Sequence, residues 1–144
     1  MSAVPSTASH GNDAPVLASR NGGVLTLTLN RPAQFNALSA ELMAAMQIEL
    51  ERAAADPAVR VVVVAAAGKA FCAGHDLREM RAEPSLDYYQ KLFAQCSRMM
   101  MTIQRMPQPV IARVHGIATA AGCQLVAMCD LAVAAEGARF AVSG

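Results

Sequence analysis

The sequence predicts an α/β domain whose strands pair mostly in parallel. Three observations carry this. The run "VRVVVVAAAG" is β-branched and unbroken, as a strand covered on both faces requires, and "PVIARVHG" repeats the pattern. The stretch Val24 to Leu29 alternates, from Leu25 on, between apolar residues and Thr. Between these runs lie segments whose apolar residues recur at helical spacing.

In chain order, residues 1–15 are rich in Ser, Ala, Pro, Gly and Asn and read as a disordered tail, leaving residues 16–144 as one domain. A Gly-bearing turn precedes the alternating strand, which Asn30 and Pro32 stop. Leu42, Met46, Leu50 and Ala53/Ala54 form one helical face, with Ser39 and Glu41 as its start signal. "DPAV" closes this helix, since a residue before Pro is pushed out of helical geometry. After the Val-rich strand comes a long helix that carries Leu86, Tyr89, Phe93, Met100 and Ile103 and ends at Pro107. Its three consecutive methionines read as core filling rather than a soft binding surface. "PVIARVHG" follows, then a short helix, then a strand in "DLAVAAE". Phe140 and Val142 begin a further apolar pattern.

The composition excludes several classes. The 144 residues are 54% hydrophobic and 16% charged, enough for a buried core and unlike a disordered chain. A formal charge of +1 offers no electrostatic case for nucleic acid or an anionic membrane. The apolar runs are too short to span a bilayer, and the N-terminus has neither a secretory nor a transit pattern. Cys72, Cys96, Cys123 and Cys129 include no CxxC pair, so four reduced, buried thiols in a cytoplasmic protein are expected, with disulfides the minor alternative.

Two segments could carry chemistry. In "GKAFCAGHDLREM" a buried strand runs into small residues, then Gly74, His75 and Asp76, then a helix start. In "GIATAAGCQL" a second strand runs into Gly116, Ala118, Thr119, Ala120, Ala121 and Gly122, and again a helix begins. Turns of this kind on neighbouring strands can aim two backbone N–H groups at one point and so stabilise an oxyanion. Asp76 reads as a cap on its helix. Cys72-x-x-His75 has no second ligand pair, so no metal site is expected, and Cys72 reads as an inert thiol rather than a nucleophile. His115 reads as a satisfied core imidazole without a role, and Asp130 and Arg139 as pairing or capping locally.

"LNRPAQFNALS", "VRVVVVAAAGKAFCAGHDLREM" and "PQPVIARVHGIATAAGCQLVAMCDLAVAAEGARFAV" resemble, in order and spacing, the successive signatures of the crotonase (enoyl-CoA hydratase/isomerase) superfamily, over about residues 20–144. The resemblance implies a ββα superhelical spiral, here truncated before the C-terminal helical region, and a homo-oligomer, trimer or hexamer. It implies no cofactor, but a coenzyme A thioester as substrate. The thioester oxygen would meet the backbone N–H groups of His75 and Ala121, where Ala121 replaces the usual Gly. The stretch Ala73, Gly74, His75, Asp76, Leu77 and Arg78 would lie along the CoA, near a loop of Asn36, Ala37 and Leu38. With its amide used in this way, the His75 ring is expected to face solvent. The two glutamates of the family's hydratases map onto Gln124 and Gly144, neither a carboxylate. The expected function is therefore enoyl-CoA hydratase- or isomerase-like, with two-glutamate hydration in doubt. The alternatives are a non-catalytic acyl-CoA-binding or assembly protein, and a truncated inactive fragment. A dinucleotide-binding domain would need a G-x-G-x-x-G turn after the first strand, which "NRPAQFNAL" lacks.

Overall fold

A computed structural model describes residues 13–143. Its main sheet has five strands in the order β1 (Val16–Asn21), β2 (Val24–Leu29), β3 (Val61–Ala66), β4 (Val110–Val114) and β6 (Leu131–Ala134). The pairs β2–β3, β3–β4 and β4–β6 are parallel, as expected. The exception is β1, which pairs antiparallel with β2 through a turn in which Gly22 adopts φ +58°. Two glycines between short extended runs are the hairpin signal here, and they place one strand ahead of the first that the sequence predicts. A second, two-stranded sheet pairs β5 (Ile117–Thr119) with β7 (Arg139–Ala141) in parallel. Strand β5 lies where only a turn of small residues was expected, whereas the apolar pattern starting near Phe140 does form β7.

Helix α1 (Ala40–Ala55) begins at Ser39, whose Oγ accepts from the Leu42 N–H at 3.1 Å. Its expected face of Leu42, Met46, Leu50 and Ala53 is buried, and the helix packs on α3 and on β1 and β2. Buried Gln108 ties down its far end by donating to the Ala53 carbonyl at 2.6 Å. Helix α2 (Leu77–Ala82) leads into α3 (Leu86–Arg105), and α4 (Ala121–Met128) connects β5 to β6.

Helix α3 corrects one expectation. It buries Leu92, Cys96, Met99, Met100 and Ile103, while Leu86 and Phe93 are exposed. Met99 and Met100 do fill the core. Among the described residues no helix is long and apolar enough to cross a membrane.

Candidate active site

Both small-residue turns leave the sheet at the same end and lie side by side. The Phe71 and Cys72 N–H groups donate to the Ile117 carbonyl at 2.9 and 3.2 Å, and the Thr119 N–H returns to the Cys72 carbonyl at 3.0 Å. The Thr119 hydroxyl donates to the Ala73 carbonyl at 3.1 Å. Gly122 closes the contact further: any Cβ there would collide with the Cys72 carbonyl. Gly116 is shut against Lys69 in the same way. No larger residue fits at either position, which explains the small-residue composition.

This packing brings His75 and Ala121 together. Gly74 has φ +94°, and a Cβ on it would lie 3.3 Å from the Ala121 nitrogen and 3.1 Å from the Ala120 Cβ. The N–H groups of His75 and Ala121 have no acceptor among the described residues. Ala121 is the first residue of α4, so its amide is one of the orphan donors of a helix start. The preceding Ala120 sits at φ 51°, ψ −125°, an unusual conformation for a residue with a side chain, and β7 holds it through the Ala141 carbonyl at 3.0 Å. Nothing in "TAAG" signals this strain, and Ala141 lies 21 residues further on.

Around His75 lies a groove of about 290 Å³ lined by Ala33, Gln34, Phe35, Ala37, Ala73, His75, Asp76, Leu77 and Arg78. Of the residues expected along a ligand, Ala37, Ala73, His75, Asp76, Leu77 and Arg78 line it. Asn36 and Leu38 are fully buried instead. The Asn36 side chain accepts from the Arg31 N–H and donates to the carbonyls of Ala67 and Ala70, so it is spent on holding its own loop. Leu38 contributes its backbone, donating to the Gly74 carbonyl at 2.7 Å and bridging to His75. Asp76 caps α2, accepting from the Arg78 and Glu79 N–H groups at 3.0 and 3.1 Å.

The His75 ring is half-buried, so it faces solvent only in part where a solvent-facing ring is expected. It packs edge-on against Phe93 of α3, with centroids 5.1 Å apart at 84°, and its Nδ1 is enclosed without a hydrogen-bond partner. Burial holds its pKa below the ordinary imidazole value, with the Leu38 backbone pulling weakly the other way. Phe93 could not be assigned to the site from sequence, because it lies 18 residues further on and was read as core.

Gln124 is exposed on α4, one turn beyond Ala121, and its N–H closes that turn on the Ala120 carbonyl. Gly144 lies outside the described residues. Elsewhere, His115 is exposed rather than in the core, with Nε2 2.6 Å from the Gly68 carbonyl. Asp130 turns to the Val110 N–H at 2.7 Å rather than to Arg139. The four cysteines are free, but only Cys72 and Cys96 are buried; Cys123 and Cys129 are half-buried. Burial pushes the Cys72 thiol up to about 11 and the Cys129 thiol up to about 12, so neither is an activated nucleophile.

The enoyl-CoA hydratase/isomerase family model matches residues 19–144. The chain belongs to the enoyl-CoA hydratase/isomerase family. Over 139 residues it is 42% identical to enoyl-CoA hydratase domain-containing protein 3, mitochondrial, of Xenopus laevis, a match covering 96% of this chain and 47% of that protein. Among solved structures of the family, an enoyl-CoA hydratase of Mycobacterium smegmatis superposes with a TM-score of 0.89 at 67% identity, over 90% of this chain and 51% of that one. Human enoyl-CoA hydratase domain-containing protein 3 superposes with a TM-score of 0.84 at 40% identity, over 88% of this chain and 50% of that one. The crotonase-like fold read from the motifs is thus the fold of this family, and the chain spans about half the length of the relatives it matches. The Xenopus relative is named as mitochondrial, so membership lends no support to the cytoplasmic expectation.

Proposed function

We propose that this protein binds an acyl-CoA thioester and stabilises the enolate that forms beside the thioester carbonyl. The approach of Gly74 to the Ala120–Ala121 turn carries this reading, because it sets two partnerless amides, from His75 and Ala121, on neighbouring turns. Each N–H can donate to one thioester oxygen. As negative charge builds on that oxygen, such donors strengthen, and losing one typically costs roughly 3–4 kcal/mol of barrier. The groove through Ala37, Ala73, Leu77 and Arg78 would take the coenzyme, with the Arg78 guanidinium available to its phosphates. Membership in a family of CoA-named enzymes supports the same ligand class, and a homo-oligomer, trimer or hexamer, is proposed on the same ground.

Titration with acetyl-CoA followed by calorimetry tests this reading. Saturable binding is expected, weakened at least tenfold in Gly74→Val, whose side chain would push the Ala121 turn away. Absence of binding by the unaltered protein would overturn the proposal.

A second reading is favoured by Gln124. An amide can orient a water but cannot accept its proton near neutral pH. A protein that holds acyl-CoA without hydrating it would bind crotonyl-CoA and leave its double bond intact, which the enoyl absorbance reports directly.

A further inference from the structure

With Gln124 in place of a carboxylate, the site still needs a group that can take a proton. The residues lining the groove narrow the choice. Arg78 carries a guanidinium, which donates hydrogen bonds and accepts none. Asp76 accepts from two N–H groups of α2 through its Oδ1, as a helix cap that favours the ionised carboxylate already held there, and Gln34 is an amide. One side chain remains, and its geometry is specific. The His75 ring is fixed edge-on by Phe93, an aromatic arrangement that sets its orientation. Its Nδ1 is enclosed near the Leu38 backbone, whereas Nε2 is neither enclosed nor hydrogen-bonded among the described residues.

We propose that the His75 side chain is the proton acceptor of this site, taking the α-proton of an acyl-CoA whose thioester oxygen is held by the His75 and Ala121 amides. This rests on the acyl-CoA reading above. One residue then supplies both the oxyanion donor and the base, so the separation between them is set by covalent geometry within His75.

The step balances without a co-reactant. The Nε2 lone pair takes the proton from Cα, the C–H electrons form a Cα–C1 double bond, and the carbonyl π electrons move onto the oxygen between the two amides. The imidazolium returns the proton either to Cα, giving exchange, or to the γ-carbon of an unsaturated chain, moving its double bond. The reaction class is isomerisation through an enolate, with no water added. Burial keeps the ring neutral near pH 7, the form that can act as a base. The charged groups sharing its groove are Asp76 and Arg78, and Phe93, packed against it from α3, carries none.

The test is deuterium incorporation at Cα of butyryl-CoA in D2O, followed by NMR, with butyryl-CoA binding measured alongside. The unaltered protein should exchange the α-protons. Its rate should rise with pH and level off, with a midpoint below the ordinary imidazole value of about 6.5. His75→Gln keeps the backbone amide and should bind butyryl-CoA within about threefold while exchange falls by about a hundredfold or more. Added imidazole should restore part of the exchange to His75→Ala, a rescue that a purely structural role would not allow. Binding without exchange in the unaltered protein, or undiminished exchange in His75→Gln, would overturn the assignment alone. Loss of binding by the unaltered protein would overturn the acyl-CoA reading beneath it.

Discussion

The Glu79 carboxylate of α2 accepts from the Ala40 N–H, the first amide of α1, at 3.1 and 3.3 Å. It also accepts from the Tyr88 hydroxyl of α3 at 2.8 Å, so one side chain joins three helices beside the groove. A negative charge at a helix start is favourable in itself.

Removing that charge should loosen the helices. Glu79→Ala is expected to cost about 1–2 kcal/mol, because it leaves an orphan amide and an orphan hydroxyl. Tyr88→Phe should cost about 1 kcal/mol or less. Urea unfolding of the three proteins checks both values.

The same contact makes a pH prediction. Desolvation, then the hydrogen bond and charge of Glu79, push the Tyr88 phenol up to about 12. Its folded pKa exceeds the unfolded value of about 10, so the neutral phenol's contribution is complete below pH 10 and is lost as pH rises through about 12. Phenolate absorbance in a Tyr89→Phe background should show this late midpoint. Glu79→Gln should move it back towards 10.

Ala120 invites relief of strain. At φ 51°, ψ −125°, glycine is at ease and alanine is not. Ala120→Gly should stabilise the fold by about 1 kcal/mol, the strain released less the entropy glycine adds to the unfolded chain. A thermal midpoint below that of the unaltered protein would refute this.

Gln124→Glu would place a carboxylate at the position that the resemblance assigns to a hydratase glutamate. The position is exposed, so stability should change by no more than about 0.5 kcal/mol. If water can reach the held acyl chain, hydration of crotonyl-CoA should rise by about tenfold or more, read as loss of enoyl absorbance.

The thiols give a last prediction. With Cys72 and Cys129 both pushed up by burial, and Cys96 raised for the same reason, alkylation at pH 7.5 should modify Cys123 first. Peptide mass mapping identifies the labelled residue.

What sequence alone revealed follows the range of the forces involved. Ser39 and Asp76 were legible as caps because a cap acts within three residues of itself. The parallel strands were legible because burial on both faces demands β-branched runs. Strand β1 was not: beyond Val16 its residues are largely exposed, and it exists through pairing with β2 rather than through its own pattern.

The site divides in the same way. That two small-residue turns exist is local information, and Gly74, Gly116 and Gly122 announce it. That they touch depends on β5 lying beside Cys72, a contact across 46 residues. The direction of the His75 ring was misjudged because Phe93, which sets it, reads as a core residue on an amphipathic helix. Asn36 was placed near a ligand by motif alone, whereas its side chain serves the loop it stands in.

Gly122 and Gly116 have a consequence for how the pocket meets its ligand. Each is pressed on a carbonyl of the opposite turn, which leaves no slack between the two turns. The spacing of the two amides is therefore settled when the chain folds, not when a thioester arrives. On the proposed reading, a receptor built this way would need little reorganisation on binding and would discriminate by charge, favouring whichever state of the bound molecule puts most electron density on one oxygen.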